Sequence, residues 1–85
     1  MFMSYTVYII QSKLDGSFYI GYTDSMEYRL KRHNEGRSVY TSRKIPWKLV
    51  YVEKYSTKTE ALKRERFLKK QRNREFYLRL ISGEK

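Results

Sequence analysis

Five side chains of this sequence are of the types that phosphoryl chemistry uses: Tyr8, Tyr19, Arg29, His33 and Glu65. Glu65 falls in the middle of a stripe that Ala61, Leu62, Leu68 and Arg72 form at helical spacing. A carboxylate on a core-side stripe needs a partner, because burying it alone is expensive. The partner is either one of the many neighbouring Lys and Arg, or a metal ion or proton. His33 is the sole histidine, and Arg29 stands one helical turn before it, so the two share a face. Each residue also has a plain structural use: a satisfied imidazole, a solvated helix charge, strand tyrosines covered by a helix. Taken together, a carboxylate, a guanidinium, an imidazole and two phenols suit phosphodiester hydrolysis. In that reaction a base, a cation and a divalent metal act on one phosphorus.

These groups need a scaffold, and the local patterns supply one. Residues 5–10 are aromatic and β-branched and predict a strand. Asp15-Gly16 is a hairpin turn signal, and residues 17–23 follow as a second strand. With Asp15 and Gly16 as the two central turn residues, Tyr8 is expected opposite Thr23 and Tyr19 opposite Ser12. Alternation then places Tyr8, Tyr19 and Gly21 on one face and Val7, Ile9, Phe18 and Ile20 on the other. Asp24 as N-cap with Glu27 three residues on predicts a helix over residues 25–35, stopped by Gly36. Residues 37–46 read as a basic loop and 47–54 as a third strand. Thr57 and Glu60 form a capping box for a long helix from Lys58 to about Gln71. Asn73 can cap a last helix over residues 74–81, stopped by Gly83. The order β-β-α-β-α-α predicts an α+β fold, a small three-stranded, mainly antiparallel sheet flanked by helices. With one Pro, four Gly and no low-complexity linker, residues 1–85 read as a single domain.

Charge narrows the partners. Nineteen Lys and Arg stand against nine Asp and Glu among 85 residues, a formal charge of +10. Basic side chains neutralise phosphates and release counterions, and the 16% aromatic content offers rings for base stacking. Lys31, Arg32, Arg37, Arg43, Lys44, Lys69 and Lys70 are the expected nucleic-acid contacts. No apolar run reaches the roughly 20 residues of a membrane span, and no segment gathers Trp, Phe and Leu on one face for a membrane surface. There is no cysteine, hence neither disulfide nor thiolate metal site. With no leader-like N-terminus, the expected location is the cytoplasm.

The ordered set of motifs resembles a known family. Thr6-Val7-Tyr8 and Tyr19-Ile20-Gly21 lie on successive strands, Arg29 and His33 on the first helix, and Ala61-Leu62-x-x-Glu65 on the second. This pattern is similar to the GIY-YIG endonuclease superfamily, and in particular to its short bacterial single-domain UPF0213 members. Tyr40-Thr41, Pro46 and Leu49-Val50-Tyr51 match as well. The resemblance implies one divalent ion, Mg²⁺ or Mn²⁺, held by Glu65. It implies Tyr19 as general base or relay to the attacking water, Tyr8 in support, Arg29 stabilising phosphoryl charge, and His33 near the water. Gly21 is expected to let a phosphate or the first helix approach the sheet. The implied substrate is DNA, with branched, nicked and single-stranded forms all open, RNA included, and a protein partner as a source of specificity. Three departures stand out. The first triplet begins Thr-Val rather than Gly-Ile. Tyr22 occupies a place where larger members carry a lysine. Asn73 has shorter spacing than their asparagine, so its role is unassigned. Two competing readings are a nucleic-acid-binding module without catalysis and an interaction subunit of a larger DNA-processing complex.

Overall fold

The computed structural model describes residues 4–83. Strands β1 (Tyr5–Ser12) and β2 (Phe18–Thr23) lead into helix α1 (Met26–Asn34). A short 3-10 turn, Thr41–Lys44, precedes β3 (Trp47–Tyr55), and helices α2 (Lys58–Gln71) and α3 (Arg74–Ser82) close the chain. The sheet has the order β2-β1-β3, with both pairings antiparallel. The fold is therefore the expected α+β arrangement. No helix among the described residues is long and apolar enough to cross a membrane.

β1 lies at the centre, and Thr6–Ile10 are all buried. Its alternating side chains feed two cores. Val7 and Ile9, with Ile20 of β2, pack on Ala61 and Leu68 of α2 and Tyr77 of α3. Tyr8 and Ile10 pack with Trp47 on the opposite face, where Met26 and Leu30 of α1 and Tyr19 join them. Both faces of a three-stranded sheet are thus covered, which makes α1 and α2 approach the β1–β2 hairpin from opposite sides.

The hairpin register differs from expectation by two residues. Tyr8 pairs with Gly21, and Ile10 with Tyr19. The closing pair is Ser12 and Ser17, whose backbones bond at 2.9 Å, so the connection is four residues long and not two. Side chains hold this wider turn open. Ser12 Oγ accepts from the Leu14 and Asp15 amides, and the Asp15 carboxylate accepts from the Ser17 amide and hydroxyl. These local bonds outcompete the two-residue turn. An even slip preserves face identity, so Tyr8, Tyr19 and Gly21 still share a face.

Helix α1 starts one residue later than its expected cap. Ser25 is the N-cap, with no side-chain cap bond. Thr23 Oγ1 accepts the Ser25 amide at 3.1 Å, so the end of β2 holds the cap residue in place. Helix α2 starts at its capping box, with Thr57 Oγ1 accepting from the Glu60 amide at 3.2 Å. Arg72 leaves the apolar stripe because it is the left-handed cap of α2, at φ 43°. Tyr77 serves that cap: its hydroxyl accepts from the Arg72 amide and donates to the Leu68 carbonyl at 2.7 Å. Asn73 caps α3 by accepting from the Glu75 and Phe76 amides, a structural use for this residue.

A second carboxylate is wholly structural. Glu53 of β3 accepts a bidentate pair from Arg64 of α2, 2.9 Å for each bond, and the hydroxyls of Tyr51 and Tyr55. Against the upward push of burial, the Arg64 guanidinium and the two tyrosine hydroxyls hold its pKa below the ordinary value. The clamp fixes α2 on the sheet, and with it the direction in which Glu65 points.

Candidate active site

A cavity of about 410 Å³ opens where β1, β2, α1 and α2 meet. β1 contributes Tyr8, β2 contributes Tyr19 and Gly21, α1 contributes Arg29, and α2 contributes Lys58 and Glu65. Four of the five expected chemical residues therefore line one cavity. Helical spacing explains the α2 contribution, since Lys58 and Glu65 are two turns apart on one face.

Glu65 is mostly buried, with its side chain 13% exposed, and Lys69 Nζ lies 3.6 Å from its carboxylate. That pair is long, and its lysine is half exposed, so it is weakly held. Among the described residues no cluster of three His, Cys, Asp or Glu side chains could hold a metal. Two carboxylates line the cavity, the mostly buried Glu65 and the exposed Asp24, a sparse donor set that suits a largely hydrated divalent ion, whose other ligands would be water and phosphate oxygens. Arg29 supplies a second indication that an anion fits here. Its Nε is buried and has no partner among the described residues, an orphaned donor that costs free energy until an acceptor arrives.

His33 stands behind the wall. It is 2% exposed, and its Nε2 lies 2.9 Å from Tyr8 Oη. Its Nδ1 lies 2.8 Å from Thr41 Oγ1. Its route to the cavity runs through Tyr8. Thr41 is fully buried, and its own carbonyl accepts from the Trp47 indole at 2.9 Å. Among the described residues the hydroxyl proton of Thr41 has no acceptor other than His33 Nδ1, so Thr41 donates there. His33 is then the Nε2–H tautomer and donates to Tyr8, leaving the Tyr8 proton for the cavity side.

Both titrating groups of this chain are pushed towards neutrality. Burial lowers the His33 pKa, helped by the positive charges of Arg29 and Arg32. Burial raises that of Tyr8 strongly, helped by Tyr19 and Glu65 and opposed by Arg29. Below about pH 6.5 the unfolded chain takes up a proton on His33 that the folded chain refuses. The His33 contribution to stability is thus complete above that pH and declines as pH falls below it. Thermal midpoints are expected to drop on acidification, with a smaller drop in His33→Gln. Two-bond ¹⁵N–¹H NMR at pH 7 should report Nε2–H; an imidazolium or an Nδ1–H ring would contradict the assignment.

Gly21 serves a different neighbour from the one expected. A Cβ placed there would lie 2.5 Å from Tyr8 Oη and 2.7 Å from its Cζ. The space belongs to the Tyr8 phenol, which crosses over the paired residue of β2.

The expected nucleic-acid contacts are more scattered. Lys31, Arg37, Arg43, Lys69 and Lys70 are exposed, but Arg37 pairs with Glu35 at 3.4 Å. Lys44 is tied to Asp15 at 3.3 Å, and Arg32 lies over the Tyr28 ring. Lys69 is the one that borders the site, beside Glu65. Lys58, which lines the cavity, was not among the expected contacts. Its signal was present in the sequence as the seven-residue interval to Glu65.

Glu65, Arg29, Lys58 and the phenols of Tyr8 and Tyr19 thus line one cleft, groups of the kinds that phosphodiester chemistry uses. The GIY-YIG catalytic domain family matches residues 4–78. The chain belongs to the GIY-YIG family, a family of nucleases, that is, phosphodiester hydrolases. It is 44% identical over 78 residues to a UPF0213 protein of Bacillus licheniformis, spanning 88% of this chain and 79% of that one. It is 46% identical over 79 residues to a UPF0213 protein of Staphylococcus aureus strain Mu50, spanning 92% and 94%. The solution NMR structure of a UPF0213 protein from Bacillus halodurans superposes with a TM-score of 0.57 at 36% identity, covering 94% of this chain and 84% of that one. GIY-YIG nucleases generally use a divalent metal ion, and the domain implies DNA as substrate.

Proposed function

We propose that this chain is an endonuclease dependent on Mg²⁺ or Mn²⁺ that hydrolyses phosphodiester bonds in DNA. The observation that carries the reading is the cavity in which Glu65, Arg29, Lys58, Tyr8 and Tyr19 meet. Glu65 would hold the ion, which when bound would supply Lewis-acid polarisation of the phosphate. Arg29 offers its orphaned Nε to a phosphoryl oxygen and stabilises the charge that builds there. Lys58, on the same helix face as Glu65, adds a second cation, in compensation for the lysine that Tyr22 replaces. Tyr19, partly exposed on β2, takes or relays the proton of the attacking water. Tyr8 keeps its proton and orients that water, held in place by His33 and Thr41. Oxygen of the water bonds to phosphorus, the bond to the leaving deoxyribose oxygen breaks, and that oxygen takes a proton from solvent water.

The Lys69–Glu65 contact favours a second reading, a module that binds nucleic acid without cutting it. In that case Glu65 serves only its lysine. A screen of duplex, nicked, branched and single-stranded DNA separates the two. With purified protein, scission in Mg²⁺ or Mn²⁺ that EDTA stops is the expected result. Salt-sensitive binding with no scission of any member, in either ion, establishes the binding module instead.

A further inference from the structure

Beside the cavity, and sharing Tyr19 with it, lies a second depression of about 270 Å³ lined by Phe18, Tyr19, Ile20, Tyr40, Lys69 and Tyr77. We infer that it receives an unpaired nucleobase of the strand whose phosphate sits at Glu65 and Arg29, so that the preferred substrate carries an unpaired nucleotide beside the cleaved linkage. The inference rests on the nuclease reading above for the position of that phosphate.

Four observations converge on it. Tyr40 is 58% exposed, although it is a large aromatic residue. Its ring lies 5.9 Å from that of Tyr19, the two planes tilted by 30°, so the rings adjoin. The polar rim is cationic: Lys44 Nζ stands 5.6 Å from the Tyr40 ring and Lys69 Nζ 6.0 Å from the Tyr19 ring. Charge at the rim and rings in the floor are the two halves of a single-strand contact, in which cations follow the backbone and aromatic faces take the bases. Tyr19 forms the shared wall, so a nucleotide with its phosphate in the cavity has its base within reach of the rings. A base stacked and paired inside a duplex cannot enter, whereas an unpaired or flipped one can.

The test measures binding in EDTA, where no turnover occurs. Fluorescence anisotropy compares a short single-stranded DNA with a blunt duplex of the same sequence, for the wild type, Tyr40→Ala and Tyr40→Phe. Tyr40→Ala is expected to weaken single-strand binding about 5- to 100-fold, the range that loss of one stacking ring produces. Tyr40→Phe, which keeps the ring and loses only the hydroxyl, should stay within about twofold of wild type, and duplex affinity should change by less than about twofold in both. The inference is overturned if Tyr40→Ala weakens both DNAs equally, if it weakens neither, or if the wild type binds no single strand. A protein that binds in the expected pattern and never cuts supports the subsite and counts only against the nuclease reading.

Discussion

Glu65→Gln is expected to lower metal-dependent DNA cleavage by about a thousandfold or more, with little change in the thermal midpoint. The substitution keeps the shape of the side chain and removes its charge, and the loss of a Lewis acid is worth several kcal/mol in such reactions. Asp24, the other carboxylate lining the cavity, is exposed, and among the described residues no group of three potential ligands stands ready to replace Glu65. The fold has little reason to suffer. The Lys69 partner lies at 3.6 Å and is half exposed, and surface pairs of that kind contribute roughly 0–1 kcal/mol. Lys58→Ala supplies the scale for comparison. It removes a cation that can contact phosphate in ground and transition states alike, so its effect should be about 10- to 100-fold and fall largely on KM. Single-turnover cleavage with 5′-labelled DNA separates the two, because only Glu65→Gln should slow the step at saturating enzyme. Cleavage by Glu65→Gln at the wild-type rate would mean that the carboxylate serves its lysine and nothing else.

Where the sequence was informative, it carried a short-range cause. The limits of α2 were legible because Thr57 and Glu60 form a box that satisfies helix amides locally. The shared face of Tyr8 and Tyr19 was legible because alternation survives a slip of two residues. The register itself was not. It depends on whether Ser12 and Asp15 side chains win against the tight turn that Asp-Gly prefers. The start of α1 was displaced for a similar reason, since the threonine that ends β2 bonds the Ser25 amide and Ser25, not Asp24, is the cap. The burial of His33 was beyond a local reading altogether. It requires the 3-10 turn to fold back so that Thr41 meets the ring, and Trp47 to lock Thr41 in turn. The Glu53 clamp likewise joins β3 to α2, and nothing near Glu53 in sequence names Arg64 as its partner. Lys58 is the opposite case: its helical interval to Glu65 was visible, but the weight given to exposed basic runs hid it.

Gly21→Ala is expected to destabilise the domain by about 1–3 kcal/mol, the usual cost of forcing extra volume into a packed site. For a domain of this size that is a fall of roughly 5–20 °C in thermal midpoint. The cause is space and not backbone freedom, because Gly21 is absent from the glycines at positive φ. A methyl group would meet Tyr8 at Oη, Cζ and Cε2, at 2.5, 2.7 and 3.0 Å. Tyr8 is tethered on the side away from the cavity. It is fully buried in the cluster of Ile10 and Trp47, and its hydroxyl is bonded to His33. Relief requires either that the ring leave its bond to His33 or that β2 move away from β1, and either shift also displaces Tyr19 or Tyr8 from the cavity. Cleavage should therefore fall together with stability. The double variant Gly21→Ala with Tyr8→Leu separates the two effects. Shortening Tyr8 removes the colliding atoms, so the thermal penalty of the alanine should shrink to less than half of its value in the wild-type background. Cleavage should not return, because the phenol that the glycine makes room for is then gone. If the alanine costs as much stability in the Tyr8→Leu background as it does beside the native tyrosine, the glycine is answering to some other neighbour, and the coupling between the two triplets that we ascribe to this contact does not exist.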